Sequence, residues 1–139
     1  MPTAKVVLDV HHARRVLADQ PFSSLLDAEL VAFRSGYAEL ALPLSESARQ
    51  HQGIAHGGVI AYLADVGVTF AAGSIAGSAV RTVDLAVNFL SAACGHRLVA
   101  RANVIHEGAR LVVARCDLFD IRDEGERRCA AAQGTVAAR

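Results

Sequence analysis

Apolar and polar residues alternate through most of the second half of the chain. In residues 81–90, Val83, Leu85, Val87 and Phe89 fall on one side and Thr82, Asp84 and Asn88 on the other. A period of two predicts a strand with one buried face. Residues 98–105 and 111–121 predict two more, and a last strand runs to about Val136. His106-Glu107-Gly108 and Asp123-Glu124-Gly125 read as the turns between them, a pattern of antiparallel hairpins. Earlier, residues 30–33 and 37–44 predict strands around an Arg34-Ser35-Gly36 turn. In the second of these, Ala38, Leu40 and Leu42 share one face, opposite Tyr37, Glu39 and Ala41. Pro43 and the polar residues 45–52 then open a loop. Val10–Ala18 predicts a short surface helix, with Pro21 marking its end.

The centre of the chain has a different period. Val59, Leu63, Val66 and Phe70 form a stripe at helical spacing, and Asp65 is the one charged residue in 57–80. The other faces of this helix carry Ala, Gly, Val and Ile, so it must be buried nearly all round. Its length would also cross a bilayer. A mid-span Asp costs about 2.5–3.5 kcal/mol on insertion scales, and the strands need a surface to cover them, so a core helix is expected rather than a membrane span. Two strands, one long helix and four strands give an α+β fold: a curved antiparallel sheet of five to six strands around a central helix. A second copy of the chain would cover what remains.

Composition narrows the function. The 139 residues fit one domain spanning 1–139, with 53% hydrophobic and 20% charged residues. Fourteen basic residues balance fourteen acidic ones, which argues against nucleic acid as a partner. Cys94, Cys116 and Cys129 form no CxxC or Cys/His ligand set and read as buried thiols in a reducing compartment. Residues 1–19 lack the pattern of a secretory signal, so a cytoplasmic location is expected.

Two features carry candidate chemistry. The helix opens at His56-Gly57-Gly58, where unpaired amides and the helix dipole can hold a developing oxyanion. The two glycines also fit simple relief of crowding at a helix start. Asp65, two turns on, is a poor mid-helix residue with no Lys or Arg three or four positions away. Thr69 and Tyr62 share its flank. Such a carboxylate can serve as a general base, or be a structural aspartate satisfied by backbone or a partner chain. His51 and His56 have no further ligand at metal spacing, and no GxSxG, GxGxxG or Walker-type loop occurs. No metal or cofactor is expected.

The run from His56 to Asp65 (HGGVIAYLAD), with TVDLAVNFL from Thr82 to Leu90, resembles the PaaI-like hotdog thioesterases, including the phenylacetate-degradation and 4-hydroxybenzoyl-CoA types. The resemblance covers about the last ninety residues in motif and the first forty in layout. It implies hydrolysis of an acyl-CoA, with CoA as part of the substrate. By this likeness the Gly57 amide polarises the carbonyl, and Asp65 of a neighbouring subunit is nucleophile or general base. Gln50, seven residues before Gly57, takes the place of an Asn or Gln. Thr69 matches a water-positioning residue and Thr82 a hydroxyl near the reacting group, while His56 and Gly58 border the substrate. Arg97 and Arg110 are candidates for the CoA phosphates, because Ser91-Ala92-Ala93 replaces the family's usual Arg-Pro after the VNFL strand. The likeness also implies a homodimer sharing its sites, paired into a tetramer as a dimer of dimers. The alternatives are a hotdog hydratase or dehydratase, which would carry a His after Asp65, and a non-catalytic acyl-CoA-binding protein.

Overall fold

The computed structural model describes residues 8–138. Residues 1–7, part of the segment read for a signal, lie outside it, as does Arg139. Two short helices, α1 (Val10–Ala18) and α2 (Pro21–Leu25), lead into the hairpin of β1 (Glu29–Arg34) and β2 (Tyr37–Pro43). A loop with one 3₁₀ turn (Glu46–Ala48) then reaches α3 (Gly57–Ala76). The strands β3 (Val80–Phe89), β4 (Arg97–Glu107), β5 (Leu111–Arg122) and β6 (Gly125–Ala138) complete the chain. They form one six-stranded antiparallel sheet in the order β1-β2-β4-β5-β6-β3, with α3 packed on five of its strands and touching the sixth, β1, more lightly. This is the hotdog architecture expected above.

The stripe Val59, Leu63, Val66 and Phe70 is buried, and so are Ile60, Ala64, Val68, Ala71 and Ala72 on other faces of α3. The sheet meets the helix with small side chains, which permits a close approach. A Cβ built on Gly67 would lie 3.1 Å from Cys116 Sγ and 3.5 Å from Ala102 Cβ. Helix α3 is therefore the core of the protein, which accounts for its hydropathy without a membrane.

Four details depart from the predicted elements. Pro21 starts α2, at the first helical position where its missing N–H is no loss. His106 and Glu107 belong to β4, and the turn begins at Gly108, whose amide donates to Leu111 O. Cys94 is exposed, unlike Cys116 and Cys129. Burial, aided by the charge of Asp117, pushes the Cys116 thiol up to about 12.

The fourth departure matters for the site. Pairing between β3 and β6 slips between Thr82 and Asp84, a bulge at Val83. The extra residue reverses the alternation. Thr82 therefore faces α3 on the same side as Leu85 and Val87, which pack on the core, and Val83 is exposed.

Candidate active site

The amide end of α3 is set by the loop before it. Arg49 organises that loop: its guanidinium donates to the carbonyls of Leu44 (3.0 Å), Gly53 (2.7 Å) and Gly95 (2.8 Å). Backbone bonds from Ala55 N to Ala93 O (2.8 Å) and from His56 N to Ala48 O (2.9 Å) then aim the chain into the helix. His56 is the N-cap, and its Nδ1 accepts from the Gly58 amide at 2.8 Å. His56 and Gly58 thus satisfy each other, and Gly57 is the residue of this terminus that borders a cleft. That cleft, of about 390 Å³, brings Gly57 together with Gln50, Ile60, Phe89 and Leu90. The Gln50 side chain accepts from the Gln52 amide.

Asp120 secures the segment that follows Ala92 and Ala93 of the cleft. It is wholly buried in β5, accepts from the amides of Cys94 (3.1 Å) and Gly95 (2.8 Å), and pairs with Arg122 Nε (2.8 Å). Neither Arg49 nor Asp120 stood out in the sequence. Asp120 carried one signal, since it falls in the inward register of Val112, Ala114, Cys116 and Leu118. Its partners come from a loop about 25 positions earlier, which no local pattern reveals.

The carboxylate end is built by α3 and β3. Thr82 Oγ1 donates to Asp65 Oδ1 at 2.5 Å and lies 2.8 Å from Thr69 Oγ1. Thr69 Oγ1 also donates to the Asp65 carbonyl oxygen, at 2.8 Å, one turn back along the helix. Asp65 is half-buried, and among the described residues no Arg or Lys forms an ion pair with it. Tyr62, on the same flank, donates instead to Ser23 Oγ (2.5 Å), which donates to Gln20 Oε1 (2.7 Å). Burial raises the Tyr62 phenol above its ordinary value; the Ser23 bond opposes this and the Asp65 charge reinforces it. Tyr62 therefore stays protonated, a wall rather than a base.

The structure thus gathers Asp65, Thr69 and Thr82 into one cluster, and Gln50, Gly57, His56 and Gly58 into another. Arg97 lies outside both, paired with Glu29 at the start of β1. Arg110 sits in the β4–β5 turn, where its carbonyl accepts from Ala138 N, at the end of the sheet where α3 finishes.

Residues 52–127, more than half of the chain, match the sequence profile of the Thioesterase superfamily. The chain belongs to the thioesterase superfamily. An esterase candidate of Saccharolobus solfataricus is 30% identical over 93% of this thioesterase and 85% of its own length. Another, from Archaeoglobus fulgidus, is 27% identical over 81% of this chain and 71% of its own. A thioesterase family protein from Silicibacter pomeroyi superposes with a TM-score of 0.85 at 32% identity, covering 89% of this chain and 93% of that one. Membership makes ester or thioester hydrolysis the general activity of this hotdog protein. Both clusters belong to the core helix or to the segments that touch it.

Proposed function

We propose that this thioesterase hydrolyses an acyl-CoA to the free acid and CoA, in a homodimer whose sites are shared between copies. The supporting observation is a half-buried carboxylate with no cationic partner among the described residues, oriented by a threonine hydroxyl, on the helix whose amide end opens into a cleft. Asp65 and Gly57 lie eight residues apart, about 12 Å along a helix axis, too far to act on one carbonyl within one chain. An antiparallel second copy brings the Gly57 amide of one chain to the Asp65 of the other.

In the general-base form, Asp65 takes a proton from water and the hydroxide adds to the thioester carbon. The oxyanion is held by the Gly57 N–H, and the C–S bond then breaks, with the proton passing to the departing thiolate. In the nucleophilic form, Asp65 displaces CoA and water cleaves the resulting anhydride. Gln50 borders the carbonyl, Thr69 holds the attacking water, and no metal or cofactor is required by either route.

The test is thiol release from a panel of acyl-CoAs. Asp65→Asn is expected to lose about 10²-fold or more in kcat on the best substrate. Wild-type turnover by Asp65→Asn would overturn the mechanism. A single turnover in ¹⁸O-water bears on the choice between them: label in the Asp65 carboxyl establishes the nucleophilic form, because a general base leaves all of the label in the product acid.

A further inference from the structure

Helix α1, the last turns of α3 and the start of β3 border a separate, partly open cavity of about 110 Å³. Ala13 and Val16 of α1, Phe33 of β1, Phe70 and Gly73 of α3, and Val80 of β3 make its walls. Helix α1 is fastened over it by burial of Ala13 and Leu17 and by a bond from Arg14 Nε to Leu30 O (3.1 Å). Thr69 also lines the cavity, and its hydroxyl is the one that meets Thr82 beside Asp65. The void therefore reaches the carboxylate cluster from the side away from Gly57.

Gly73 gives a second observation. A Cβ built there would meet nothing closer than Val80 Cγ2, at 3.8 Å, so alanine fits without a clash. Glycine weakens a helix interior relative to alanine. Packing does not require it at this position, and its missing side chain keeps the cavity open. The lining is mostly apolar, with Gln20, Thr69 and Ser78 as its polar members, and a cavity of this size and character suits a small hydrocarbon; one of about 150 Å³ takes benzene.

We infer that this cavity is the acyl subsite and that it accepts an apolar acyl group no larger than about a phenyl ring or a six-carbon chain. The inference rests on the acyl-CoA reading above. Long fatty acyl groups have no room in it, so they are poor substrates.

The experiment uses CoA thioethers, which cannot be hydrolysed: S-ethyl, S-hexyl, S-phenylethyl and S-dodecyl, titrated by calorimetry into wild type, Gly73→Val and Gly73→Ala. Wild type is expected to bind the hexyl or phenylethyl compound about 10-fold or more tighter than the ethyl, with no further gain for dodecyl. In Gly73→Val that preference falls to near unity; in Gly73→Ala, which carries the test if the valine variant does not fold, it falls about 3-fold. An undiminished preference in the variants, or no thioether binding by wild type, overturns the assignment. Selective thioether binding without thiol release from any acyl-CoA leaves the subsite standing and refutes hydrolysis instead.

Discussion

Thr82 has one hydroxyl proton, and at 2.5 Å from Oδ1 that proton points at the Asp65 carboxylate. Thr69 has one as well, shared between the Asp65 carbonyl and the Thr82 oxygen. Each hydroxyl fixes the next, so the carboxylate is held in one rotamer before any substrate arrives. Thr82→Val keeps the shape and removes the donor. Its kcat is expected to fall about 10-fold or more with KM nearly unchanged, and Thr82→Ser to recover most of the loss, because a charge-assisted bond of this kind contributes about 1.5–3 kcal/mol. Wild-type turnover in the valine variant with a loss in the serine one would mean that the methyl group, not the hydroxyl, matters. Asp65 and Gly57 were legible in the sequence because an acid in an apolar helix and a glycine pair at its start both break the local pattern. Thr82 was legible as a residue but not as a direction. Strict alternation put it opposite Leu85, and only the slip at Val83 turns it inward.

Among the elements, the segment between β3 and β4 shows how a loop can be as constrained as a strand. A Cβ on Gly95 would lie 2.1 Å from Ile121 O and 2.5 Å from Asp120 Oδ1. Gly95→Ala must therefore push the loop off the buried carboxylate, which loses an amide donor and remains buried. A loss of about 2–4 kcal/mol in urea unfolding is expected. An unchanged midpoint would show that Asp120 does not hold the loop. Activity should fall with it, because Ala93 O anchors Ala55 and Arg49 anchors the same stretch from the other side. The order of elements followed from periodicity alone, since β3 to β6 alternate and α3 does not. Their ends were less legible: His106 and Glu107 look like turn residues but are held in β4 by pairing with β5 across a bulge after Val104. Loop 44–56 carries no period, and what shapes it is one arginine bonded to two carbonyls of the loop itself, Leu44 and Gly53, and to that of distant Gly95.

At the scale of the whole molecule, the separation of the two clusters makes the proposed sharing of a site between two copies testable in solution. Gly57→Pro removes one N–H at a position where proline suits the first helical turn, and His56, at φ −65° and ψ 135°, already has the backbone that precedes a proline. Alone, it is expected to lose about 10²–10³-fold in kcat, the usual effect of deleting one oxyanion donor. Co-expressed with Asp65→Asn, it should regain activity well above either parent, because each mixed dimer assembles one intact site. No recovery would place both groups of a working site in the same chain. A broader consequence follows from α3 serving as the keel of the fold. The helix that packs on the sheet also carries the groups proposed to react, so a substitution that loosens its packing is expected to lower turnover along with thermal resistance. Variation in substrate taste is then left to the parts that lean on the keel from outside, α1 first among them.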